Sequence, residues 1–129
     1  MSYYLKNLEW ITKALANPPD KLNKLIPVDS CIPAELMDHY EMIIDKDLNN
    51  FKEELSKSQI DELKKLNDYV YSLFCSEKLA DKWNDDNFIY SEQWQNIQVL
   101  AKNFATYMKW ENLENLEPLY SQIVDVNHE

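Results

Sequence analysis

Apolar residues recur with a period near 3.6 in almost every stretch between the prolines, and that spacing predicts helices rather than strands. Ser2 is placed to cap a first helix over about residues 3–16, with Tyr4, Leu8, Ile11 and Leu15 as its apolar stripe. Asn17-Pro18-Pro19 ends it, because a residue before proline is pushed out of the α region. Asp20 through Ile26 predicts one short helical turn carrying Leu22 and Leu25 and closed by Pro27, and residues 27–32 read as a connection.

Pro33 suits the first turn of a second long helix, where a missing N–H costs nothing. Leu36, Tyr40, Ile44, Leu48, Phe51 and Leu55 follow at spacings of three and four, which predicts helix to about residue 55 with Asn49-Asn50 as the place for a bend or break. Ser58-Gln59-Ile60-Asp61 is similar to a capping box with Asp in place of Glu, and it predicts a third helix with Ile60, Leu63, Leu66 or Asn67, Val70 and Phe74 inward, ending near Ser76. Residues 77–83 predict a further helical turn ending at Trp83, and 84–90 a loop. Ser91 is a natural cap for a fourth long helix, whose stripe is Trp94, Ile97, Ala101, Phe104 and Met108. The tail offers Leu113, Leu116, Leu119, Tyr120 and Ile123, with Pro118 at either a kink or the first turn of a last helix. The expectation is a single all-α domain over residues 1–129, a compact bundle of about five to six helices with no internal repeat.

Composition sharpens this picture by two absences. A chain of 129 residues that is 45% hydrophobic and 12% aromatic can fill one core, but it contains no Gly, and all thirteen basic residues are Lys. Phosphate-cradling loops need Gly so that backbone amides can approach the anion, so a P-loop and a dinucleotide fingerprint are excluded. Without Arg there is no planar donor fork for phosphates or guanine edges and no arginine finger.

The formal net charge is −10. Such a surface repels nucleic-acid backbones and attracts cations or basic proteins. Residues 1–80 hold 14 acids against ten Lys and residues 81–129 hold nine against three, so the acidic face is expected mainly in the last third. Cys31 and Cys75 are expected to be buried small hydrophobes rather than a disulfide. The chain shows neither a signal-type start nor ~20 consecutive apolar residues, so the expectation is a soluble cytoplasmic protein with no membrane partner.

Candidate chemistry is thin. Asp45-x-Asp47-x-Asn49 opens like a calcium loop, but position six is Asn50 rather than Gly and position twelve is Ser56 rather than Glu. Glu35 and His39 lie four apart on one helix face, yet a di-metal bundle needs a second such helix and a solvated carboxylate beside a boundary His explains the pair. Cys31 and Cys75 have only His39 and His128 to serve as a base. Paired carboxylates across helices cannot be read from sequence. These absences read as a protein that is not an enzyme, with no cofactor, no metal and no catalytic residue.

Asp81-Lys82-Trp83-Asn84-Asp85-Asp86-Asn87-Phe88-Ile89-Tyr90 places three acids and three aromatics in one connection. Acids steer encounter with a basic surface and aromatics anchor interfaces, which makes this a candidate binding loop. The competing reading turns Trp83, Phe88 and Tyr90 inward to seal the bundle. Glu111, Glu114 and Glu117 follow at i, i+3 and i+6 and would form a like-charged edge if helix continued through them. The candidate partner contacts are Asp81, Asp85, Asp86, Phe88, Tyr90, Glu111, Glu114 and Glu117.

From Trp83 through Ala105, and most of all at Ser91-Glu92-Gln93-Trp94-Gln95-Asn96-Ile97 followed by Leu100-Ala101, the chain resembles the helical immunity proteins of bacterial contact-dependent growth inhibition systems. The shared feature is a helix with an aromatic, two aliphatics and a small residue at inward spacing after an acidic loop; Gln98 departs from the pattern, where a basic residue is expected. The resemblance implies an antitoxin-like inhibitor that binds a cognate basic toxin domain one-to-one, frequently a nuclease, and blocks its active site. A phage or plasmid acidic inhibitor that mimics nucleic acid is the alternative on the same charge, and a carboxylate-rich metalloenzyme is a third.

Overall fold

The computed structural model describes residues 2–27, 29–110 and 112–119, and among these the chain forms four α-helices joined by 3-10 turns, with no strand. Helix α1 spans Tyr3–Ala16, and Ser2 caps it as expected, its Oγ accepting from the Leu5 N–H at 3.1 Å. Leu8, Ile11 and Leu15 are fully buried, but so are Asn7, Trp10, Thr12, Ala14 and Ala16. A helix buried over most of its circumference is a central element, and α1 is the one against which both α2 and α4 pack.

Helix α2 spans Ile32–Ile43, with Pro33 in its first turn. It stops twelve residues short of the expected end because side chains claim the amides that would continue it. The Asp45 carboxylate accepts from the Asn49 and Asn50 N–H groups at 3.0 and 3.3 Å, and Asn50 Nδ2 donates to the Ile43 carbonyl at 3.0 Å. Across the gap, Asn67 Nδ2 donates to the carbonyls of Asp45 and Lys46 at 3.2 and 3.0 Å. Leu48 takes a left-handed conformation with φ 59° before the 3-10 turn Asn49–Phe51. Ile44, Leu48, Phe51 and Leu55 are nevertheless all buried, so the apolar stripe survives the change of backbone.

Helix α3 spans Lys57–Phe74. Its capping box is formed by Ser56 and Gln59 rather than Ser58 and Asp61: Gln59 N–H donates to Ser56 Oγ at 3.2 Å and Ser56 N–H to Gln59 Oε1 at 2.8 Å. Gln59 stands at the third helical position and has the reach to close the box. Three 3-10 turns, Glu77–Leu79, Lys82–Asn84 and Asp86–Tyr90, lead to helix α4, Glu92–Tyr107, capped by Ser91. Helix α4 packs against both α1 and α3 and closes the bundle.

The end of α4 is a Schellman motif built without glycine. Trp110 N–H donates to the Ala105 carbonyl at 2.8 Å and Lys109 N–H to that of Thr106 at 3.1 Å, with Lys109 at φ 63°. The hydrophobic contact that accompanies such motifs is a T-shaped pair of Phe104 and Trp110 rings, 5.7 Å apart. Residues 112–118 have no regular structure and are stitched over α1: Trp10 Nε1 donates to the Glu117 carbonyl at 2.7 Å, Asn17 Nδ2 to that of Leu113 at 2.9 Å, and Leu119 N–H to that of Leu25 at 2.9 Å. Leu119 is buried, and Leu113 and Leu116 pack against the same core as the four helices. Tyr120 and Ile123 lie outside the described residues, as does the chain on which the role of Pro118 depends. No helix among the described residues is long and apolar enough to cross a membrane.

Candidate functional site

The acid–aromatic segment 81–90 is ordered by its own aromatics. The Trp83 ring stands edge-on between Phe74 of α3, 5.2 Å away, and Phe88, 4.9 Å away, and Phe88 reaches Trp94 of α4 at 6.1 Å. Phe88 is 4% exposed, which removes it from the candidate partner contacts: the ring is spent on the core. Trp83 is half-buried, whereas Tyr90 is 62% exposed and the only one of the three aromatics to face solvent. The inward reading thus holds for Phe88 and in part for Trp83, and it fails for Tyr90.

Asp81, Asp85 and Asp86 are all exposed, but they do different work. Asp86 Oδ1 accepts from the backbone N–H of Ile32 at 2.8 Å, so this carboxylate serves the N-terminus of α2, where the helix dipole favours negative charge. Asp85 Oδ1 accepts from Asn87 N–H at 2.9 Å and caps the 3-10 turn that carries Phe88 and Tyr90. Asp81 makes no capping hydrogen bond at the turn it precedes. None of the three is in an ion pair among the described residues.

The second acidic series is not a helical edge. Glu111 lies outside the described residues, and Glu114 and Glu117 fall in the irregular 112–118 stretch. Both are exposed, and lysines share their clefts: Glu114 lines one of about 390 Å³ with Lys21 and Lys24, and Glu117 one of about 250 Å³ with Lys6 and Lys13. Neither cleft includes any residue of 81–90. The sequence pattern therefore joined two acidic groups that the fold seats on different elements, one on α2 and α4 and the other on α1 and the Pro19–Lys24 turn.

Both cysteines are free, but neither is the buried small hydrophobe expected. Cys75 is exposed at the end of α3, and Cys31 is half-buried with its thiol 3.5 Å from the Trp83 carbonyl. Burial pushes the Cys31 thiol up, and the carboxylates of Asp86 and Asp85 add to that shift, which keeps it protonated and a poor nucleophile. His39 is not a boundary residue: it is 4% exposed, edge-on to Trp10 with ring centroids 5.3 Å apart, and burial pushes it down to about 4. Its Nε2 has no hydrogen-bond partner. Among the described residues no group of three or more His, Cys, Asp or Glu side chains is arranged to hold a metal ion.

One group of side chains escapes the sequence pattern. Asp38 and Glu41, on the exposed side of α2, line a cleft of about 320 Å³ with Met37, Phe74, Trp83 and Asn84. Its signal was present as three acids and no lysine in Ile32–Ile43, but nothing in the sequence brings Phe74 and Trp83 beside them. A larger cleft of about 570 Å³ between the 46–48 turn and α3 carries Lys46 and Lys64 together with Asp47, Asp61 and Asp68, a rim of mixed sign. Compared with protein families, with curated proteins and with solved structures, the chain matches none.

Proposed function

We propose that this chain is an inhibitory binding protein that neutralises a basic protein partner, as an immunity protein neutralises a toxin domain, and that the outer side of residues 81–90 forms part of the contact. The observation that carries this reading is the segment's construction. Trp83 and Phe88 fix it from below, while Asp81, Asp85 and the Tyr90 ring stand out to solvent. An interface already held in place gives up little conformational freedom on binding, and carboxylates beside an exposed ring supply steering and an anchor in one place. A nuclease domain built to hold phosphates offers the matching positive surface, and an inhibitor with net charge −10 associates with it fastest at low salt.

The partner is sought by co-purification with the product of the adjacent upstream gene, followed by association kinetics of the pair. The informative variant combines Asp81→Lys with Tyr90→Ala, because neither side chain holds the fold together. Association is expected to slow by about ten-fold, on the scale of rate gains from electrostatic steering, with the thermal midpoint unchanged. Identical kinetics for variant and wild type would take residues 81–90 out of the interface.

A further inference from the structure

We infer that the cleft between α2 and the Lys82–Asn84 turn is a receptor for an arginine side chain presented by the basic partner. This deepens the proposed function by naming the anchor point, and it relies on that reading only for the source of the arginine. The aromatic and aliphatic part of the cleft is fixed: Met37 is buried, and the Trp83 ring packs in T-shaped contacts with Phe74 and Phe88. Its rim is acidic. Asp38 and Glu41 lie three apart on α2, both are exposed, and neither is in an ion pair among the described residues. Ile32–Ile43 holds no lysine to offset them, and His39 is buried and neutral.

A flat guanidinium is the group that uses both features. Its face packs on an indole ring, and its edge donates two parallel N–H bonds to a carboxylate, whereas an ammonium offers only a point charge. A volume of about 320 Å³ admits one extended side chain and not a folded segment. This chain has no arginine, so no second copy can supply the planar guanidinium to the cleft.

The test is a titration of the full chain with N-acetyl-arginine amide, read by the Met37 methyl and Trp83 indole N–H resonances. Saturable shifts at both are expected, with a dissociation constant on the order of millimolar to tens of millimolar for one cation–π contact and two exposed ion pairs. The Asp38→Asn, Glu41→Gln variant should bind about ten-fold more weakly while keeping its thermal midpoint. The citrulline analogue, which has the shape without the charge, should leave both signals in place. Equal shifts from arginine, lysine and citrulline amides, or shifts spread over the surface acids that spare Met37 and Trp83, overturn the cleft assignment. A tetra-arginine peptide that binds the chain without touching those two signals overturns the cleft alone and leaves a basic partner standing. Arginine capture in the cleft without any basic partner co-purifying supports the cleft and overturns the broader reading.

Discussion

His39 makes the stability of the fold depend on pH. A histidine buried on α2 against Trp10, with an unpartnered Nε2, is held neutral, and its folded value of about 4 lies below the ordinary 6.5. Because the folded value is depressed, the unfolded chain takes up the proton first as pH falls. The stabilisation is therefore complete above pH 6.5 and is lost progressively down to pH 4, amounting to about 3 kcal/mol at about 1.4 kcal/mol per unit. Urea unfolding across that window should show the loss, and His39→Leu should flatten it. A wild-type curve that is already flat from pH 6.5 to 4 would show that His39 titrates normally. Asp45 acts in a separate range: burial pushes its carboxyl up, but the Asn49 and Asn50 N–H groups outweigh this and hold it below 3.8, so its contribution fades only at lower pH.

At the scale of single elements, the chain meets its left-handed positions without glycine. Lys109, Leu48 and Asn115 all have φ near 60°, and a non-glycine residue there costs roughly 1–2 kcal/mol. Asn tolerates the region best, and Leu48 offsets its cost by burying a side chain worth roughly 1.5–3 kcal/mol. Lys109 has no such return, being exposed after the last turn of α4. Lys109→Gly should stabilise the protein by about 1 kcal/mol, and Leu48→Gly should destabilise it despite the same relief of strain. Thermal denaturation of the two variants separates strain from packing. A fall in the midpoint of Lys109→Gly would count against the Schellman assignment. In α3, Gln59→Ala removes one arm of the capping box and is expected to cost about 0.5–1 kcal/mol, whereas Asp61→Ala, which makes no capping bond, should lie within ±0.5 kcal/mol.

For the whole molecule, α1 is the keystone, and the irregular stretch after α4 is bound to it through side chains. Trp10→Phe keeps an aromatic ring but leaves the Glu117 carbonyl without its donor, a loss of about 1–2 kcal/mol that should appear first as faster amide exchange in residues 112–119. Unchanged exchange there would mean that Asn17 and Leu25 hold the stretch without help from Trp10. The same placement decides the charge pattern. Glu114 and Glu117 line clefts that also hold lysines, whereas the cleft lined by Asp38 and Glu41 holds none. An acidic cleft on α2 therefore lies outside the last third of the chain, where the acid count is highest, while Asp81 and Asp85 lie within it.

Local chemistry determined what the sequence could determine alone. Ser2 and Ser91 cap helices because a hydroxyl oxygen at that position accepts from an N–H that the first turn leaves unpaired, and the all-α bundle follows from apolar spacing that only helices can bury in register. The early end of α2 was decided by contests between side chains and backbone at Asp45, Asn50 and Asn67, partly from another helix, to which periodicity is blind, and the two-residue shift of the α3 cap by the reach of Gln59 back to Ser56. The site was decided the same way. Asp81, Asp85 and Tyr90 could be marked from composition. That Asp86 serves α2, and that Asp38 and Glu41 share a cleft with Trp83, depend on residues more than 40 positions apart, which come together only once the helices have packed.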